Sequence, residues 1–205
     1  MQSRLPPKML NNETGETYQT LIANISEDSD SQTLASAICK TLTTDMGLSE
    51  QARKAQVGTI FELLMAEMLL QHKIMPFYRQ ATLLNVPLSK FDFLCYHPQK
   101  PVVFSTKFSL AERWRQTAFE GASLKQVYRH GKCYLITYNP ESVEKRNAEI
   151  DDGRIFGIDK ILIAGTHALK QLLDEIATIK FCEAEPVNPI EKHTHIIREA
   201  SESHR

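Results

Sequence analysis

Between Ser49 and Leu70 the apolar positions Val57, Ile60, Phe61, Leu64 and Met68 recur at the spacing that lines one face of an α-helix. Leu34, Ile38 and Leu42 predict a shorter helix over 32–42 in the same way. Then the period changes. KIMPFYRQATLL, KFDFLCYH and KPVVFSTK are short runs rich in β-branched and aromatic residues, separated by Asn, Pro and His-Pro, and they predict a meander of three strands. Ser109 and Glu112 have capping-box spacing, so a helix is expected from Leu110 to about Arg129, where His130 and Gly131 stop it. KCYLITYN and DKILIAG predict a fourth and a fifth strand on either side of a turn-rich stretch, 139–157, and HALKQLLDEIATI predicts a closing helix.

The two ends read differently. Residues 1–30, with NNETGET and SEDSDS, are polar and acidic and predict an N-terminal arm or a peripheral helix; residues 184–205 predict a polar tail containing Pro186 and Pro189. Between them, 31–183 predicts one domain of the α/β class, a mixed central β-sheet of about five strands flanked by α-helices. A chain of 205 residues is long enough to bury a sizeable core without disulfides or metals as staples. Cys39, Cys95, Cys133 and Cys182 are scattered with no CxxC pair, which predicts reduced thiols and no zinc site. The seven histidines form no cluster of ligand spacing.

No apolar run approaches the ~20 residues that span a bilayer, and MQSRLPPKML lacks the apolar stretch of a signal peptide, so a cytoplasmic protein with no membrane partner is expected. The net charge of −1 excludes nothing, because attraction to phosphate depends on where charges lie. From Lys100 to Lys132 there are seven Lys and Arg against only Glu112 and Glu120. That local surplus makes nucleic acid a partner to consider.

The chemistry gathers in the same stretch. Asp92 lies between Phe91 and Phe93 on the second strand, so strand alternation turns it away from both, and a carboxylate there is costly without a partner. Ser105 and Lys107 share a face of the third strand while Thr106 points away. A hairpin turning at His97, Pro98 and Gln99 lets Asp92 and Lys107 converge. Carboxylates that hold a hard cation, with a lysine beside them to orient water, are what metal-dependent phosphodiester hydrolysis requires.

An acid on one strand and an x-Lys motif on the next resembles the PD-(D/E)xK nucleases, over about 58–139, with the order of helix, meander, lysine, helix and strand in agreement. The resemblance implies a restriction-endonuclease-like core. Phe91 stands where that family has proline, and Ser105 where it has the second acid. The Ser-x-Lys form is similar to type II restriction endonucleases that cut CCGG-like or CCNGG-like sites. In that branch a glutamate on the following helix replaces the missing acid, and Glu120 stands thirteen residues after Lys107. GTIFE, from Gly58 to Glu62, resembles the first-helix motif of the family and implies a further acid, Glu62, near the metal; Glu67 reads as an ordinary exposed acid.

The resemblance therefore implies Mg²⁺ bound by Asp92, Glu120 and Glu62, catalysis by Lys107 with Ser105 beside it, and no organic cofactor. It implies double-stranded DNA as partner, a palindromic and C/G-rich site, and a homodimer to cut both strands. Glu112, Arg113, Arg115 and Gln116 occupy the segment that reads bases in this branch. Arg can donate to guanine O6 and N7 and Glu can accept from cytosine N4, while Arg115 falls where it meets phosphate or solvent. Glu112 has two readings, helix cap and base reader. Trp114, Ala118 and Ala122 read as a packing stripe. The alternatives are another nuclease of the superfamily, acting in repair or as an exonuclease, and an inactive DNA-binding module of the same fold.

Overall fold

A computed structural model of the chain describes residues 3–23, 50–87, 89–108, 110, 113–184, 190–191 and 194–196. The helix expected over 32–42, Cys39, Ser49, and the capping pair Ser109 and Glu112 lie outside these residues.

A 3₁₀ turn, Pro7–Met9, leads into α1, Glu13–Ala23. Asn12 starts this helix by accepting the Gly15 N–H on its side chain at 2.8 Å, which satisfies one of the donors a helix N-terminus leaves free. α2, Glu50–Gln71, is the long helix that the apolar period predicts. The meander follows as β1 (Phe77–Leu83), β2 (Phe91–Cys95) and β3 (Val102–Lys107). Next come α3 (Trp114–Val127), β4 (Lys132–Thr137), α4 (Val143–Asp151), β5 (Lys160–Ile163) and α5 (His167–Ala177).

The fold is α/β. Five strands run in the order β5-β4-β3-β2-β1, antiparallel within the meander and parallel from β3 through β4 to β5. Two short tail strands, β6 (Ile190–Glu191) and β7 (Thr194–Ile196), both pair with β1, so the segment expected to be a polar tail extends the sheet. Ile60, Leu64 and Leu69 of α2 pack with Phe77, Phe93, Phe104 and Ile136 on one face, together with Leu169 and Leu173 of α5. On the other face Leu94, Val103 and Cys133 meet Leu124 of α3, and Leu135 and Ile161 meet Val143 of α4.

Three expectations need correcting. Residues 3–23 are no loose arm: they contain α1, which the expectation allowed as a peripheral helix, but Leu5, Met9, Tyr18 and Ile22 are buried in the core beneath α2. Residues 143–151 are helical where turns were expected; one buried residue, Val143, is too faint an apolar signal to reveal a helix. And α3 begins at Trp114 and not at Leu110, which is itself buried against Leu135 and Val143 as irregular chain.

A fourth correction concerns the site directly. Phe93 packs beneath α2, with its ring centroid 6.0 Å from that of Phe77, whereas Phe91 belongs to the opposite cluster with Leu94 and Val103. Asp92 is therefore not simply opposed to both. The same break occurs in β1, where Phe77 lies beneath α2 but Ala81 and Leu83 lie on the other side. Between them Gln80 has φ 51°, the left-handed conformation, which interrupts the two-residue alternation. Arg79 pairs with Phe93 and Ala81 with Phe91, so Gln80 is level with Asp92 and no residue is inserted.

The parallel segment sets the height of α3 by close packing. A Cβ on Gly121 would lie 2.5 Å from the carbonyl oxygen of Gly157 and 2.9 Å from the Cys133 side chain, and Gly157 has φ 103°. Only glycines allow this approach, and it seats the turn of α3 that carries Glu120. No described helix is long and apolar enough to cross a membrane.

Candidate active site

Asp92 stands where the alternation of β1 and β2 breaks, and its two oxygens face different partners. Oδ2 accepts the Thr106 backbone N–H at 2.8 Å, the Ser105 hydroxyl at 3.1 Å and the Lys107 ammonium at 3.0 Å. Oδ1 accepts the Gln80 amide at 3.4 Å. β2 and β3 pair through Phe93 and Phe104, and continuing that register sets Ser105 across from Asp92. The hairpin thus brings together the three residues that the sequence places on its two strands. Asp92 and Lys107 are each more than four-fifths buried, which strengthens a charge-assisted bond relative to one in water.

Glu120 reaches the same place from the other layer. α3 turns Thr117 and Glu120, one turn apart, toward the sheet, and both are buried. The Thr117 hydroxyl donates to Ser105 Oγ at 3.1 Å, which ties the helix to β3 beside Asp92. The Glu120 carboxylate accepts the Gln116 amide at 2.9 Å and the Lys90 backbone N–H. Burial pushes its carboxyl above the usual range, the charge of Asp92 adds to that, and Gln116, Lys107 and Lys90 act against it.

Glu62 approaches from α2. It receives Arg79 Nη2 at 2.9 Å and the Gln80 amide at 3.2 Å, both on Oε2. Its carboxyl is raised above the ordinary range by burial first and by Asp92 second, with Arg79 and Gln80 opposing. Both helix acids therefore feel the charge of Asp92, and a cation between them and Asp92 would relieve that repulsion. The donors are all carboxylate oxygens, the set that suits a small hard cation. Among the described residues no three or more His, Cys, Asp or Glu side chains stand close enough to enclose a metal by themselves. Mg²⁺ needs fewer, since one or two carboxylates with waters and phosphate oxygens complete its shell.

The expected base-reading residues are placed as follows. Arg113 occupies the cap position before α3 and is exposed, and no side chain caps the helix there. Arg115 is exposed with its guanidinium 5.1 Å from the Trp114 ring centre. Gln116 is exposed along its length, yet its amide is turned back to Glu120, which links the outer face of α3 to the buried acid. Glu112 lies outside the described residues, and its two readings with it. Trp114 packs against the α4 cluster as expected of the stripe, with Arg146 on its ring at 4.7 Å.

Four residues were not foreseen: Thr106, Arg79 and Gln80, which touch the acids, and Thr117, which reaches Ser105. Thr117 carries a signal, since it lies three residues before Glu120 on one helix face. The Thr106 contribution is a backbone N–H, which no side-chain pattern reports. Arg79 and Gln80 read as ordinary alternating strand residues, and nothing local announces that both turn to Glu62.

Compared with protein-family models, with curated protein sequences and with solved structures, the chain matches none.

Proposed function

We propose that this chain is a Mg²⁺-dependent endonuclease that hydrolyses double-stranded DNA at a short, C/G-rich palindromic site, in the manner of a type II restriction enzyme. One observation carries the reading: Asp92 and Lys107 are joined at 3.0 Å while Glu120, buried on the following helix, is coupled electrostatically to both. An acid paired with a lysine, and a helix acid whose charge both affect, support the Ser-x-Lys reading. A structural ion pair needs no third, like-charged group placed against it; the cost of that placement favours a functional site.

Asp92 and Glu120 would hold the cation, with Glu62 behind Gln80 on the α2 side. Bound Mg²⁺ would supply Lewis-acid stabilisation of charge on the phosphoryl oxygens and a more acidic water. Lys107 positions the attacking water and offsets negative charge as the pentavalent centre forms, and its partly buried ammonium does so in a medium of low polarity. Ser105 and Thr106 fix the Asp92 carboxylate so that it cannot rotate away from Lys107. Arg113, Arg115 and Gln116 face outward beside this centre and would meet DNA, and a two-fold homodimer would present two such centres to the two strands.

The test is digestion of a sequenced circular plasmid with Mg²⁺, followed by mapping of the ends. Discrete fragments with a common terminal sequence are the expected result. Progressive loss from ends would move the assignment to an exonuclease. DNA binding with no cutting under any divalent cation would leave only a DNA-binding module of the same fold.

A further inference from the structure

Regular strands send successive side chains to opposite faces, so Arg79 and Gln80 should not both reach the same carboxylate. They do: Arg79 Nη2 and Gln80 Nε2 both donate to Glu62 Oε2, at 2.9 and 3.2 Å. The left-handed backbone of Gln80 makes this possible, and a residue with a Cβ adopts that conformation in a strand only against strain. The register on either side is unbroken, so no bulge required it. The strained residue is level with Asp92, and its amide also donates to Asp92 Oδ1 at 3.4 Å. One amide therefore spans an acid of α2 and an acid of β2 at the point where three elements meet.

We infer that Gln80 is a positioning residue which ties Glu62 to Asp92 and thereby sets the affinity of the site for a divalent cation. The inference rests on the nuclease reading for the identity of the cation, but not for its test. An amide is the group suited to this place: it is neutral, it donates to both carboxylates while the cation is away, and it prevents them from swinging apart under mutual repulsion. Groups that orient metal ligands without touching the metal commonly govern affinity by about tenfold or more. Arg79 shares Glu62 Oε2 with Gln80 but does not reach Asp92, leaving Gln80 as the only described side chain that donates to both acids.

Two substitutions separate this role from ordinary structural support. Gln80→Gly keeps the left-handed backbone without strain and deletes the amide. Its melting temperature in EDTA should equal or exceed that of the wild type, while Mn²⁺ affinity measured by calorimetry falls about tenfold. Gln80→Glu keeps the length but adds a third carboxylate. It should melt lower in EDTA and gain more from Mn²⁺ than the wild type gains. A Gly variant that binds Mn²⁺ as tightly as the wild type overturns the inference, and so does one that loses stability in EDTA with unchanged affinity. If the wild type cuts DNA but the Gly variant keeps its Mn²⁺ affinity, Gln80 alone is misassigned. A wild-type chain that neither binds Mn²⁺ nor cuts removes the nuclease reading as well.

Discussion

On α2, Glu62 turns a carboxylate that is still partly open to solvent toward Arg79 and Gln80, whereas Glu67, five residues on, is wholly buried and accepts the Ser3 hydroxyl at 2.8 Å and the Arg4 backbone N–H at 3.1 Å. Five residues turn a helix by about 140° beyond a full circle, so the two acids look into different parts of the molecule. Glu62 faces the site, where its charge is opposed by burial and by Asp92. Glu67 faces the N-terminal segment and holds it against the core by accepting from Ser3 and from the Arg4 backbone. Glu67 reads from the sequence as the exposed one of the pair. The difference teaches that two acids on one apolar helix can serve different ends, one closing the structure and the other placed against a second acid, Asp92. Glu67 accepts from Ser3 and the Arg4 backbone, neighbours in sequence; Glu62 is met by a strained residue shared with a second acid.

The comparison predicts that chemistry and stability can be removed separately. Lys107→Ala takes away the ammonium that Asp92 accepts, while Asp92 keeps the Ser105, Thr106 and Gln80 donors. Plasmid cleavage should fall about a thousandfold, while DNA binding in Ca²⁺ stays within severalfold and the melting temperature changes little. A variant that still cuts would remove Lys107 from the mechanism.

Glu67→Ala should do the reverse. Ser3 and Arg4 would lose a charged acceptor in a place water does not reach, costing about 3 kcal/mol in urea unfolding, with cleavage by the folded fraction unchanged. Glu62→Gln, which leaves an acceptor for Arg79, should cost about 1 kcal/mol or less and weaken divalent-cation binding instead. Equal stability losses for the two acids would erase the distinction drawn between them.

The smallest effect sharpens the Glu67 side. Tyr18 is fully buried nearby, its hydroxyl meets no hydrogen-bond partner among the described residues, and burial with the charge of Glu67 raises its ionisation well above the usual value of 10.0. Unfolded, the residue gives up its proton near pH 10; folded, it keeps it. The native state then binds more protons, so stability falls as pH rises above about 10. Tyr18→Phe should remove that contribution and raise stability at neutral pH by about 1 kcal/mol, since an unpaired buried hydroxyl is lost. Thermal melts of both proteins across pH 8 to 11 check the direction.

Strands β1 to β5 and the helices α2 and α5 were legible from local signals: the helical spacing of Val57 to Met68 in the one, the β-branched and aromatic content of runs such as VVFSTK in the other. α4 was not, since VEKRNAEID buries little more than Val143 and a helix held mainly by its surroundings leaves little period in the chain. The N-terminal segment was misread for a related reason. Its polar residues outnumber Leu5, Met9, Tyr18 and Ile22, yet those four suffice to form an inner face once Asn12 starts α1.

Asp92 and Lys107 were singled out from their places on neighbouring strands, and Glu120 from the resemblance to the Ser-x-Lys nucleases. What the chain determined alone was therefore the central elements, α2, β1 to β5 and α5, and the residue types brought to the β2–β3–α3 junction. The tertiary structure decided the rest: the left-handed turn at Gln80, the reversal of faces between Phe91 and Phe93, the height of α3 set by Gly121 against Gly157, and the burial of Glu67. Each of these balances a local cost against contacts between residues distant in sequence, and such a balance is struck only when the layers close on one another.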